Sequence, residues 1–167
     1  MDQCLLRPRN LIQLFQHCKG FAVNVGHDQI SSEDVSNALD AYSRDLVTEI
    51  NREISDVFPK ASKLLYDFAK EPADVSHDDL VVLAELRQLD GAATEQLIDL
   101  LLYYGFLGLP DERGECTYIY DTHYDMEILK ALARKRGRAP MYRIHPAFWP
   151  ALRIQSRGAT GPQPRLI

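Results

Sequence analysis

The sequence predicts a mainly α protein with a small β hairpin: a pair of helices followed by a winged helix-turn-helix domain. Three observations predict it. Two N-terminal stretches repeat apolar residues every three or four positions, the spacing of one helix face. Three shorter helical patterns then follow at 60–70, 77–88 and 94–104. Finally, Gly105 stops the last pattern, and 106–109, the polar turn Pro110-Asp111-Glu112-Arg113-Gly114 and the run 116–120 read as strand, turn, strand. Three short helices and a hairpin come in winged-helix order.

In the first helix Leu11, Ile12, Leu14, Phe15, Cys18, Phe21, Ala22 and Val25 give a broad apolar face. Pro8 suits the first turn, where a missing N–H costs nothing, and Gly26 closes the helix. Ser31-Ser32-Glu33-Asp34 is the start signal of the second helix, a serine capping it and the acids sitting on its positive end. From there Val35, Leu39, Tyr42, Leu46, Ile50 and Ile54 step by three or four to about Val57. The opposite face carries Asp40, Arg44, Asp45, Glu49, Arg52, Glu53 and Asp56. Such a stripe needs a neighbour. The first helix is the nearest candidate and a dimer partner the next, so Val35, Leu39, Tyr42, Leu46 and Ile50 are candidate interface residues.

Pro59 marks a break. Leu64, Leu65 and Phe68 are the apolar side of a short helix over 60–70, and Glu71-Pro72-Ala73-Asp74 reads as a linker. Ser76, with His77, Asp78 and Asp79 behind it, caps the next helix. Its expected core residues are Leu80, Leu83, Leu86 and Leu89. Asp90-Gly91 is a turn, and Thr94 is the expected cap of the third short helix. Past the hairpin, 125–136 is another helix and 141–145 alternates like a strand. Pro146-Ala147-Phe148-Trp149 is a bulky end expected to plug the core. The expected divisions are a helical section at 1–58, the winged-helix domain with its added helix and strand at 59–152, and a disordered tail at 153–167.

Two phrases resemble the C-terminal lid of STAND and AAA+ class P-loop ATPases: Arg7-Pro8-Arg9-Asn10-Leu11-Ile12 before the first helix, and Ile30-Ser31-Ser32-Glu33-Asp34 opening the second. In that family a winged helix follows the lid. Its phrases are similar to Tyr104-Gly105-Phe106-Leu107-Gly108, Tyr118-Ile119-Tyr120-Asp121 and Tyr142-Arg143-Ile144-His145-Pro146-Ala147-Phe148. The resemblance spans roughly residues 5–152. It implies a regulatory, protein-interacting role, with 1–58 lid-like. It also implies that Arg7 or Arg9 stands where the family places a lid arginine near nucleotide phosphates. The phosphate-cradling motif G-x-x-x-x-G-K-[ST] is absent from the sequence, so the chain by itself is not expected to bind and hydrolyse ATP in the family's way. The plain alternative for Arg7 and Arg9 is a solvent-exposed helix start.

Charge tests the nucleic-acid option that a winged helix raises. Residues 1–127 carry ten Lys/Arg and all 24 Asp/Glu, and residues 128–167 carry nine Lys/Arg and no acid. The third short helix, where a DNA reader offers Arg, Lys, Asn or Gln, offers Glu95, Gln96 and Asp99. Glu95 and Asp99 point to a protein-facing helix. Nucleic acid, if bound, would meet the basic segment 130–143 through Lys130, Arg134, Lys135, Arg136, Arg138 and Arg143, weakly and without sequence preference.

No paired Cys or His spacing suggests a metal. Asp121-Thr122-His123-Tyr124-Asp125 could form an acid–base cluster, but reads more simply as a strand end with a helix cap. No enzyme and no cofactor is expected. No run reaches the ~18 apolar residues of a membrane span. Three cysteines and no recognisable leader point to a reduced, cytoplasmic setting. The expected partner is a protein, either an ATPase core or a second copy of the chain.

Overall fold

The computed structural model describes residues 4–5, 7–135 and 141–155. Two antiparallel-running stretches of sequence open it as helices, α1 (Pro8–Val25) and α2 (Ser32–Val57). Pro8 sits in the first turn of α1, and Gly26 closes it at φ 81°, a left-handed conformation that suits glycine. At the start of α2, Ser31 Oγ accepts from the Asp34 N–H while the Asp34 carboxylate accepts from the Ser31 N–H at 2.8 Å. This reciprocal cap is worth about 1 kcal/mol. His27 Nδ1 lies 2.8 Å from the same carboxylate. The His27 contact, helped by Ser31, holds the Asp34 carboxyl down at about 2.

The stripe on α2 is buried inside the chain. Ala38, Tyr42, Leu46, Val47, Ile50 and Ile54 are all buried, covered by α1 on one side and by the C-terminal residues on the other. Tyr42 Oη accepts from the Leu5 N–H at 3.2 Å, and burial pushes its phenol far above the usual range. Ser43 Oγ, also on α2, accepts from the Ala151 N–H at 3.0 Å. One cluster of buried residues takes in Tyr42, Leu46 and Ile54 before residue 58 and Leu64, Leu65 and Phe68 after it.

After Pro59 the expected helix over 60–70 is instead two 3-10 segments, Pro59–Ala61 and Leu64–Phe68. Adjacent Leu64 and Leu65 are both fully buried. Lys63 at φ 59° breaks the chain between the segments, and Asn51 Oδ1 on α2 accepts the Leu65 N–H at 3.0 Å. The stretch read as a linker leads into a strand, β1 (Asp74–Ser76). Ser76 then caps α3 (His77–Leu86) through the same box as α2, with Asp79 as its partner. The cap of α4 (Gly91–Tyr103) is Asp90, not Thr94. Asp90 accepts from the Ala93 N–H at 2.8 Å, and Thr94 is buried with its hydroxyl donating back to the Asp90 carbonyl.

Four short strands form one antiparallel sheet in the order β1-β4-β2-β3. β2 (Leu107–Pro110) and β3 (Cys116–Thr117) are the expected hairpin, joined by a turn in which Asp111 Oδ1 accepts from the Arg113 and Glu115 N–H groups. β4 (Met141–Ile144) lies between β1 and β2. The strand expected over 116–120 stops after two residues. The Asp121 carboxylate takes the Tyr118 N–H at 2.8 Å and turns the chain into the 3-10 segment Ile119–Thr122. Tyr118 then packs on Gly108, where a Cβ would come within 2.5 Å of its ring. α5 (Met126–Lys135) follows, its first N–H groups met by Asp125.

The end expected to plug the core does so. Phe148 is fully buried in an aromatic row with Phe106 at 4.9 Å and Phe68 at 5.0 Å from Phe106. A 3-10 turn, Pro146–Phe148, leads into a four-residue helix, α6 (Trp149–Leu152), and the Trp149 indole N–H donates to the Ile144 carbonyl at 2.8 Å. Arg153, Ile154 and Gln155, the start of the expected tail, lie within the described residues, and Gln155 bridges Pro72, donating its N–H to the Glu71 carbonyl and accepting from the Ala73 N–H. The rest of the expected tail, 156–167, lies outside the described residues.

His145 is buried beside this row. Its Nδ1 accepts from the Ala147 N–H at 3.0 Å, so Nε2 carries the proton and faces Tyr120 Oη at 3.0 Å. Burial lowers its pKa from 6.5 to about 3. The unfolded chain therefore takes up this proton first as pH falls, and stability present above pH 6.5 is lost on the way down to about 3. Urea titrations are expected to show a loss of about 2 kcal/mol between pH 6.5 and 5. His145→Asn, which keeps an acceptor for Ala147, should lose most of that slope; an unchanged slope would contradict the assignment.

Candidate functional site

The sequence-predicted residues fall into three groups, and the fold treats each differently. Arg7 and Arg9, at the start of α1, both turn onto acids of α2. Arg9 pairs with Glu49 and lies 3.3 Å from Glu53, and Arg7 lies 3.9 Å from Glu53 with its guanidinium 6.0 Å from the centre of the Tyr124 ring. These contacts clamp α1 to α2. The picture of a wholly solvated arginine holds in part for Arg9 and not for Arg7, whose side chain is mostly covered.

Two members of the basic segment are paired within the chain. Lys130 Nζ donates to Asp99 Oδ2 at 2.6 Å, and this contact raises the lysine's pKa. It ties α5 to α4. Arg143 grips Asp74 with Nε at 2.6 Å and Nη2 at 3.2 Å, and its Nη1 donates to the Gly114 carbonyl at 2.7 Å. One guanidinium thus joins β4, β1 and the β2–β3 turn. Arg134 and Lys135 sit exposed in the last turn of α5, where a cation is favourable at the negative helix end. Arg136 and Arg138 lie outside the described residues.

Of the candidate interface residues, Tyr42, Leu46 and Ile50 are buried within the chain and cannot meet a partner. The reason is that α2 is covered from two sides, where the sequence suggested one neighbour. Leu39 is half-buried and Val35 exposed. On α4, Glu95 is exposed and Asp99 is engaged by Lys130. The segment 121–125 is not assembled as an acid–base pair: Asp121 and Asp125 are occupied as caps on backbone N–H groups. Among the described residues no group of His, Cys, Asp and Glu is placed to hold a metal ion, and no helix is long and apolar enough to cross a membrane.

Two surfaces emerge that residue spacing did not single out. The first is the outward face of α1. Leu11, Leu14, Cys18 and Ala22 turn inward or pack on the core, while Ile12, Phe15 and Val23 stand exposed along one face, Phe15 with 66% of its surface in solvent. The signal was the breadth of the apolar face, wider than a single neighbouring helix covers. The second is a groove of about 1080 Å³ between β1, α3 and the segment before them. Val82, Leu86 and Met141 line it and are exposed. Leu86, expected in the core, is 81% exposed because the helix ends there and Leu80, Ala84 and Leu89 take the inner positions.

Residues 1–51 match a known family, the FunZ-associated C-terminal helical domain. The match ends inside α2, two residues before Glu53, and takes in the cap at Ser31 and the α1 face. No curated protein and no solved structure matches the chain.

If Arg143 serves the fold in place of an anion, it must be coupled to Asp74. A double-mutant cycle with Arg143→Ala and Asp74→Ala, read by urea unfolding, should give a coupling of about 1–2 kcal/mol, because both partners are mostly covered and the contact is two-pronged. Additive effects would show that the arginine is not held by this pair.

Proposed function

We propose that the chain is a non-catalytic regulatory and protein-interaction module that works with a P-loop ATPase of the STAND or AAA+ class. On this reading α1 and α2 are its lid-like pair, and 59–152 is a winged helix. What supports the winged-helix assignment is element order: β1, α3, α4, then the β2–β3 hairpin. What supports an accessory role is the match of residues 1–51 to a helical domain described as FunZ-associated and C-terminal.

The observation that carries the reading is the outward face of α1. Ile12, Phe15 and Val23 form an apolar stripe, with only Lys19 between them on that face, on a helix whose other side is already sealed on α2. Such a stripe is costly to leave in water: about 25 cal/mol for each Å² that a partner could cover. Arg7 and Arg9 are held at the same end of α1, so this face is presented on a rigid pair.

The DNA alternative rests on Arg134 and Lys135, exposed at the end of α5. α4 does not favour it, since its surface charge is Glu95 and Asp99. Anisotropy with labelled duplex DNA at two salt concentrations separates the readings. The interaction reading predicts the same weak signal for wild type and for Arg134→Ala/Lys135→Ala. Salt-sensitive binding lost in that variant would favour DNA. For the partner itself, the probe is any P-loop ATPase found encoded with or beside this chain. It should co-purify with wild type and not with Ile12→Glu/Phe15→Glu, a variant whose thermal midpoint should hold because both positions are exposed. Retention of the ATPase by the variant, or no association with wild type, would overturn the proposal.

A further inference from the structure

We propose that the groove between β1 and α3 binds an extended peptide segment of a partner protein, with apolar residues at its centre and Lys or Arg on its flanks. This surface lies apart from the α1 face and does not rest on the reading of that face.

The apolar part comes from both walls. Val82 and Leu86 are four residues apart and so lie on one face of α3, and with Leu83 they look across to Phe68, Pro72 and Val75, with Met141 at the rim. Leu86 and Val82 are exposed although they border the core. Nothing in the described chain covers them.

The conformation of the occupant follows from the sheet. β1 is an edge strand: β4 pairs with one side of it, and Asp74, Val75 and Ser76 line the groove. Edge strands accept extended chains through their main-chain groups. Just before β1 the chain takes one extended segment, Gln155 pairing in parallel with Pro72 and exchanging hydrogen bonds with Glu71 and Ala73, while the outer side of Asp74–Ser76 has no strand partner among the described residues.

The charge of the occupant follows from the rim. Four carboxylates line the groove, Asp67, Glu71, Asp74 and Asp79, against one cation, Arg87. Arg87 is bound to Asp67 at 2.6 Å and Arg143 to Asp74, so among the described residues no ion pair answers Glu71 or Asp79. Asp79 is held ionised by its contacts with Ser76. An acidic peptide would be repelled, and a basic one drawn in.

The test uses the full chain and three labelled ten-residue peptides in fluorescence anisotropy. One has a Val-Leu-Val centre flanked by Lys and Arg. The second replaces the basic flanks with Glu, and the third replaces the centre with Ser. The first should bind at micromolar concentration and weaken with salt, and the other two should bind at least tenfold more weakly. Val82→Glu/Leu86→Glu should cost tenfold or more, and Glu71→Lys several-fold, while Ile12→Glu/Phe15→Glu should leave the affinity unchanged. Equal binding of all three peptides, equal binding by the groove variants, or no binding at millimolar peptide would overturn the proposal. So would binding that appears only after Arg157, Arg165 and Leu166 are changed to Ser, because the groove would then belong to the chain's own residues 156–167.

Discussion

Everything in this molecule depends on covering the apolar side of α2. A 26-residue helix with Tyr42, Leu46, Ile50 and Ile54 in line cannot stand alone in water. Burying one such side chain is worth about 1.5–3 kcal/mol, so the stripe is among the largest stabilising terms available to the chain. α1 takes one flank of it. The other flank is filled by residues 148–152, where Phe148 and Leu152 reach back and Ser43 accepts the Ala151 N–H. The N-terminal pair and the sheet-bearing remainder are thereby joined through one helix.

That arrangement decides what is left to meet a partner. With α2 enclosed, its stripe is unavailable, and the exposed apolar surface moves to the outside of α1 and to the groove beside α3. The charge asymmetry of the sequence is resolved in the same way. Part of the basic C-terminal end is matched internally, Lys130 to Asp99 and Arg143 to Asp74. Both contacts pull a late element onto an earlier one, so the cations that looked like an anion site act as fasteners between α5 and α4 and between β4 and β1. Screening limits what the more exposed of the two, Lys130–Asp99, contributes. Their geometry still fixes where α5 and β4 lie.

Elements with strong local signals were legible in the sequence. Pro8 and Gly26 bound α1, Ser31 with Asp34 starts α2, and Asp111 with Gly114 makes the hairpin turn, each by chemistry confined to a few residues. What was not legible depends on distant partners. β1 has three residues and exists because Met141, Tyr142 and Arg143 pair with it from far along the chain. Leu64 and Leu65 had the composition of an α-helix, but Lys63 turns the chain just before them and Asn51, from α2, holds the Leu65 N–H, so the segment forms 3-10 turns. The candidate site suffered most from this. Spacing alone gives a stripe on α2 and cannot say that two separate parts of the chain will cover it. Leu86 sits at a core-like spacing and ends up in solvent because α3 ends there.

The central claim is that α2 is a shared spine, so that the helical pair and the sheet-bearing part form one cooperative unit. Trp149, the single tryptophan, reports the far side of that spine, and far-UV circular dichroism is dominated by α1 and α2. Following urea unfolding of the full chain with both signals tests the claim directly. One shared midpoint and one shared slope are the predicted result. Two separated transitions, with helix signal persisting after Trp149 is released, would contradict it.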